Sequence, residues 1–428
     1  MLQTLRKAWK IEELRKKILF TLLIILLYRL GNAIPVPYVN VAALQAYFNS
    51  LQNTVLGLLN VMSGGAFSQA TIFALSIQPY INASIIIQLL CIAIPALERM
   101  SKDEGEEGRK KIASITRYAT VAIGLLQGFG FYMLIKNYGI LTAEAEGNVW
   151  AAIVIILTFT SGSALIMWLG EQITEFGIGN GISMILFASI ISRFPTAIFT
   201  SIRNIANGSL RWWVAVLMFL GAIAIIILIV FVNDAERRIP VQYAKRVVGR
   251  KMYGGQSNHL PMKVNMSGVM PIIFAQSIAS VPATIAAFTG KTDGWVSNWF
   301  GTNSIPYAIA YLLLIIFFAY FYSTIQFNPV EVANNLKKNG GYIPGFRPGK
   351  PTSEFIQKVL NKITLFGAIY LGIIAVVPIL IAHFSKESSL TGVSLGGTSI
   401  IIVVGVALET IRALEAQLLM RNYKGFLD

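Results

Sequence analysis

Charge is what this chain has least of. Only 13% of its 428 residues are Asp, Glu, Lys or Arg, against about 25% in soluble domains. Hydrophobic residues make up 55% of the chain and the mean hydropathy is +0.64. That balance excludes a water-soluble fold and reads as a polytopic membrane protein. Length alone would suggest about three domains, but the apolar segments recur evenly and no long soluble stretch divides them. Cysteine is almost missing as well. Cys91, alone inside an apolar segment, excludes an intrachain disulfide framework and a thiolate metal site, and reads as a small buried hydrophobe. His259 and His383 are far apart and show no metal spacing. Neither a metal nor a cofactor is expected.

Catalytic patterns are absent too. There is no G-x-S-x-G and no H-E-x-x-H, and no span centre pairs a carboxylate with a base. Ion-coupled transporters usually carry Asp, Glu or His at mid-membrane; here Arg29, Arg193 and Glu409 sit towards span ends. The expectation is therefore neither an enzyme nor a proton-coupled carrier. Gly177-Ile178-Gly179-Asn180-Gly181 lacks the third glycine and the preceding strand of a dinucleotide site, and a loop-to-helix turn explains it. Gly290-Lys291-Thr292 resembles the end of a P-loop, but Ile285 stands where its first glycine would be.

What is present is a series of apolar runs near the length of about 20 residues that crosses a bilayer as a helix. Ten are predicted: 18–34, 72–96, 113–135, 149–169, 181–201, 212–232, 267–289, 306–326, 363–383 and 397–416. The fifth contains Arg193 and Pro195, and the tenth ends among Glu409, Arg412 and Glu415. The basic segment Met1–Lys17 precedes the first run without a small-residue cleavage site, so that run reads as a retained helix. With the N-terminus in the cytoplasm, 28 of the 35 Lys and Arg fall on the cytoplasmic side, as the positive-inside rule requires. The outer exceptions are Arg29, Lys136, Arg193, Arg203, Arg211, Lys291 and Lys386. Ten helices divide into five and five, an odd number that makes inverted halves with a path between them.

Two cytoplasmic loops, 234–263 and 327–362, are long, basic and dotted with aromatics. Topology and attraction to anionic lipid account for the charge. They do not account for Gly340-Gly341, Pro344, Gly345, Pro348, Gly349 and Pro351, which shape a turn with Arg347 at its tip. A guanidinium there suits bidentate contact with carboxylate or phosphate, so both loops read as docking surfaces. The stretch from Val61 to Leu97 is odd in the opposite way. No charge occurs between Leu30 and Leu97, yet the stretch carries Gly64-Gly65, Asn82, Ser84 and Gln88. Irregular, neutral, mildly polar backbone beside a spanning helix points to a segment folded back into a protein-lined cavity. Ile77 and Ile81, and Ile182 and Leu186, each share a helix face at i,i+4, a spacing that most often means ordinary packing.

The stretches SGGAFSQATIFAL, QPYINASIIIQLL, MWLGEQITEFGIGNGISMILFAS, RRIPVQYAKRVVGR, LPMKVNMSGVMP, FNPVEVANNLKKNGGYIPGFRPG and GGTSIIIVV resemble the SecY family, the channel subunits of the Sec protein translocase. They cover nearly the whole chain in the right order. The resemblance implies an all-α protein of ten transmembrane helices, in two halves (1–201 and 202–428) around a central hourglass pore. It implies a plug over about 55–69, with Val55 and Gln69 at its ends and Ser63, Gly64 and Gly65 within it. It implies a pore ring of Ile77, Ile81, Ile182, Leu186, Ile273 and Ile402, in which Leu186 departs from the family's isoleucine. Lys245, Arg246, Arg250 and Arg347 would receive the SecA motor or the ribosome. A lateral gate would lie between the second and third and the seventh and eighth helices, with Gln88 and Asn265 as candidate polar contacts.

The small subunits SecE and SecG would complete a heterotrimer in the bacterial cytoplasmic membrane, with both termini cytoplasmic. Signal peptides, unfolded polypeptides and membrane lipids would be its other partners. Two rival functions remain on the residues alone: an ion-coupled transporter of a small solute and a membrane-embedded enzyme. Uncharged span centres and shaped basic loops weigh against the first, and the lack of a nucleophile–base or metal set against the second.

Overall fold

A computed structural model of the chain describes residues 2–50, 55–102, 105–208, 211–243, 246–248, 251–253, 257–288, 299, 301, 304–384 and 391–424. The chain opens with α1 (Leu2–Lys10), α2 (Glu12–Gly31), the short α3 (Val41–Ser50) and α4 (Val55–Met62). Then come α5 (Gln78–Ala93), α6 (Pro95–Lys102), α7 (Gly105–Asn137), α8 (Val149–Phe176), α9 (Gly181–Ile191) and α10 (Phe194–Ala206). The second part runs α11 (Trp212–Asp234), β1 (Glu236–Tyr243), β2 (Arg246–Val248), β3 (Lys251–Tyr253), β4 (Ser257–Lys263) and α12 (Met270–Phe288). It ends with α13 (Ile305–Gln326), α14 (Pro329–Lys338), β5 (Gly341–Tyr342), α15 (Lys350–Phe384) and α16 (Thr391–Lys424).

Each of the ten predicted spans is mostly helical over its described residues. Among the described residues six helical segments are long and apolar enough to cross a membrane by length and composition, and α5 and α12 are shorter apolar helices. Their outward faces are apolar. Trp212, Leu217, Phe219, Ile227 and Phe231 of α11 are all exposed, a surface that water would not tolerate and lipid would.

Local chemistry sets the helix starts. Asn148, Asn180, Ser304 and Asn328 each accept a backbone N–H of the following first turn, the N-cap bond that satisfies an otherwise orphaned donor. The stretch 177–181 is thus a loop-to-helix turn: Asn180 caps α9, and a methyl group at Gly181 would collide with the Gly170 carbonyl oxygen.

Four features differ from the expectation. The second span begins at Gln78, not at 72. Residues 63–77 are turns, because Gly64, Gly65, Ala70 and Ser76 hold positive φ and Pro79 sits in the first helical turn. The fifth span breaks at Ser192–Arg193, and Pro195 opens α10. The ninth helix starts at Lys350, so the last residues of the 327–362 loop are helical.

The fourth difference is β-structure where only loops and helices are expected. Loop 234–263 folds as β1 paired antiparallel with β4, Ile239 opposite Leu260, and β1 pairs with β5 at its other edge. β2 and β3 form a separate two-stranded ribbon at the far end of that loop. The inward side chains Ile239, Val241 and Met262 pack on Leu336, Ile343, Ile356 and Leu360 from α14, the following turn and α15. The two basic loops are therefore one unit with its own small core.

The membrane helices meet around a larger core. The earlier and later helices touch through α5 on α12, α7 on α12 and α9 on α16, and α4 packs against α9, α12 and α16. A second cluster, around Phe48, Phe67, Phe131 and Phe159, closes the end of α7 and α8 that carries α3.

Candidate functional site

The site lies where these contacts converge. Ile77 caps the start of α5 and Ile81 follows one turn on; Ile182 and Leu186 are one turn apart on α9; Ile273 opens α12 and Ile402 lies on α16. Ile77, Ile81, Leu186, Ile273 and Ile402 are each at most 3% exposed, and all five belong to one continuous apolar cluster. Ile182 is half-buried and packs on its edge. Sequence spacing alone makes none of these residues stand out; their four helices place them in or against the same large cluster. No hydrogen-bonding group belongs to the six, so water gains nothing by entering between them.

The segment expected as a plug packs against three of the helices that carry these residues. Its helix α4 ends at Met62, and the chain reverses through Gly64 (φ 69°) and Gly65 (φ 93°). Position 64 has to be glycine for two reasons. Its backbone is left-handed, and a methyl group there would lie 2.9 Å from the Ser189 carbonyl oxygen. Ser63 is buried, Gly64 and Gly65 are half-buried and Gln69 is exposed; the side chain of Val55 lies outside the described residues.

Polar contacts tie the segment to the wall. Tyr28 shares a 2.6 Å hydrogen bond with Ser189 Oγ and donates to the Ser63 carbonyl at 3.5 Å. Arg193 Nη1 donates to the Asn60 carbonyl at 3.2 Å, and Asn60 Oδ1 accepts the Ser68 N–H at 3.0 Å. Phe67 stacks on Phe131 with ring centroids 4.2 Å apart. A segment of small residues is thus held by more directed contacts than its composition indicates.

A cavity of about 460 Å³ opens next to the plug, walled by Leu59, Met62, Phe67, Ile85, Leu186 and Phe288 among others. Two neutral hydrogen bonds cross between the earlier and later helices, the first of them between residues that line this cavity. Gln78 Nε2 on α5 donates to Ser277 Oγ on α12 at 3.1 Å, and Tyr322 on α13 donates to Gln88 Oε1 on α5 at 3.2 Å. Gln88, one of the two expected gate contacts, thus bonds across from α5 to α13. Asn265 does not. It lies in the turn before α12 and binds Asn233 at 2.9 Å and the Gly268 carbonyl at 3.2 Å, both within the later part of the chain. Proximity to α12 in sequence suggested the assignment, but the turn directs the amide back to the end of α11. The partners Gln78, Ser277 and Tyr322 were missed. Single polar residues on apolar helices carry no spacing signal, and only the helix pairing singles them out.

The docking candidates lie at the other end. Arg347 is exposed at a tip shaped by Gly345 (φ 88°) and Gly349 (φ 102°), and its carbonyl accepts Thr352 Oγ1 at 2.8 Å. Phe346 stacks on Phe355 at 4.2 Å behind it. Arg246 lies on β2 opposite Tyr253, its side chain undescribed; Lys245 and Arg250 lie outside the described residues. At the root of the unit Arg412 of α16 pairs with Asp234 at 2.6 Å and donates to the Asn233 carbonyl at 2.6 Å. Burial, with Arg412 close by, holds the Lys263 ammonium below its usual range.

The SecY family model matches residues 71–411. Over the full length of both chains this protein is 45% identical to the protein translocase subunit SecY of Streptomyces scabiei. A solved protein-conducting channel superposes with a TM-score of 0.64 at 17% identity, covering 94% of this chain and 92% of that one. A solved SecY structure, described as having a plug domain that stabilises the closed state, superposes with a TM-score of 0.63 at 17% identity and the same coverage. These two likenesses are likenesses of fold.

Proposed function

The chain belongs to the SecY family of protein translocase subunits, and we propose that unfolded polypeptides cross the membrane through its waist, between halves 1–201 and 202–428. The observation that carries this is the convergence of six aliphatic side chains from α5, α9, α12 and α16 on one core, with a neutral segment packed beside it against α9, α12 and α16. An aliphatic constriction resists wetting and so blocks ions. It offers a passing chain no hydrogen bonds, and flexible side chains can repack around different widths.

In this reading Ile77, Ile81, Ile182, Leu186, Ile273 and Ile402 are the ring and residues 55–69 are the plug. The seam between α5 and α7 on one side and α12 and α13 on the other is the lateral gate. The Gln88–Tyr322 and Gln78–Ser277 bonds hold that gate shut. An apolar signal helix displaces such contacts easily, because each neutral bond contributes only about 1 kcal/mol net. Lys245, Arg246, Arg250 and Arg347 form the face that receives SecA or the ribosome on the cytoplasmic side, where both termini lie. SecE and SecG complete the complex in the cytoplasmic membrane. The channel works without a catalytic group of its own, and the motor or the ribosome supplies the energy.

The test is ion conductance of the reconstituted complex. It should be low in the resting protein and rise at least about tenfold when residues 55–69 are deleted, because the apolar barrier loses its stopper. Unchanged conductance removes the plug. An ion-coupled transporter would instead show solute flux that depends on an ion gradient.

A further inference from the structure

The plug carries no charge, and nor does any other residue between Leu30 and Leu97. Two cations of the wall nevertheless reach its end. The Asn60 carbonyl, in the last turn of α4, accepts the Gly65 N–H at 2.8 Å, the Ser63 hydroxyl at 3.1 Å and Arg193 Nη1 at 3.2 Å. Arg193 is half-buried in the break between α9 and α10, and the ion pairs of the described residues do not include it. A methyl group at Gly64 would lie 3.1 Å from Arg29 Nη1, so a second guanidinium flanks the same turn. Arg29 and Arg193 are two of the seven basic residues that break the positive-inside pattern.

We propose that Arg193, with Arg29 at the same turn, is a latch that holds the plug shut by capping the C-terminal end of the plug helix. The exposed carbonyls of a helix C-terminus carry roughly half a negative charge, and a cation placed there is attracted to them. The arrangement puts the charge on the wall and leaves the moving part neutral. A charged plug would have to be desolvated each time it returned beside the apolar waist, whereas a neutral one leaves and returns without that cost. The break in the fifth span then has a use: it turns Arg193 towards the plug instead of leaving it along a lipid-facing helix.

The latch rests on the plug reading, and the experiment separates the two. Ion leak is measured on the complete reconstituted complex carrying Arg193→Gln, Arg193→Met or Arg193→Lys, each alone and combined with deletion of 55–69. Arg193→Met keeps the unbranched stem for packing and serves if Arg193→Gln does not assemble. Removing the cation is expected to raise the leak about tenfold, the size of a partly buried charge–dipole contact. Arg193→Lys should restore part of the seal, and no Arg193 variant should add to the leak of the deletion. If the deletion leaks and the Gln or Met variant does not, the latch is wrong and the plug stands. If the deletion does not leak, both fall. A Lys variant leaking as much as the Met variant, or an added leak in the deletion background, also overturns the latch.

Discussion

Two parts of the molecule depart from plain spanning helix, and they do so in opposite ways. Residues 55–77 are uncharged, turn repeatedly, and bury Leu56, Met62, Ala66, Phe67, Ala70, Phe73 and Ala74 against helices that belong to other parts of the chain. The unit built from the two basic loops is strongly basic, yet its β1 alternates, with Arg238, Pro240 and Gln242 exposed and Ile239 and Val241 inward onto a core closed by Met262, Ile356 and Leu360. The first segment borrows its stability from its seat, and the second carries its own. Both fit the proposed roles: a plug that leaves its seat has no core of its own to keep it ordered elsewhere, and a docking surface keeps its shape through a core independent of the membrane helices.

That contrast can be broken by removing one large side chain from each. Phe67→Ala should have the larger effect, at about 3–5 kcal/mol for a buried aromatic, because Phe67 is stacked on Phe131 and set edge-on to Phe48 at 5.3 Å. The cost falls on the seated plug, so ion leak should rise while the cytoplasmic unit stays resistant to protease. A variant that unfolds without leaking would mean that Phe67 belongs to the scaffold. Ile356→Ala, at 0% exposure, should cost about 2–5 kcal/mol and do the reverse. Cleavage within 234–263 should quicken while leak stays at the wild-type level. A leak in this variant would show that the two regions share their stability.

The same contrast explains what was legible from the residues. The spans were, because bilayer thickness imposes a length and a composition that survive without partners. The plug turn was marked by Gly64-Gly65, whose left-handed backbone other residues avoid, and the docking tip by the glycines and prolines around Arg347. The start of α5 was not legible. Ala70 and Ser76 also take positive φ, and nothing in their chemistry announces it; the packing of the turns does. β1 and β4 were hidden because Pro240 and Pro261 lie inside them and charge dominates the loop. Their pairing depends on α14 and α15, nearly a hundred residues away. The proposed ring, latch and gate share that difficulty: Ile402, Arg193 and Tyr322 would each act through a neighbour distant in sequence.

The gate supplies the smallest and most selective test. Tyr322 is nearly buried, packs edge-on to Phe274 at 5.2 Å, and spends its hydroxyl on Gln88. Tyr322→Phe keeps the ring and its packing and removes one neutral hydrogen bond between α5 and α13, worth about 1 kcal/mol. Gln88 Nε2 still donates to Ser84 Oγ at 3.1 Å, so the glutamine stays anchored on its own helix and only the crossing contact is lost. Neither the plug nor the cytoplasmic core is touched, so leak and protease resistance should stay as in the wild type. Opening of the gate should become about fivefold easier, the factor that 1 kcal/mol represents. It is read as increased translocation of a substrate whose signal segment is only weakly apolar. Substrates with a strongly apolar segment should gain little, because for them the gate opens readily already. Equal gains for both substrates, or none for either, would mean that this bond does not hold the seam closed, leaving Gln78 and Ser277 as the polar contact that does.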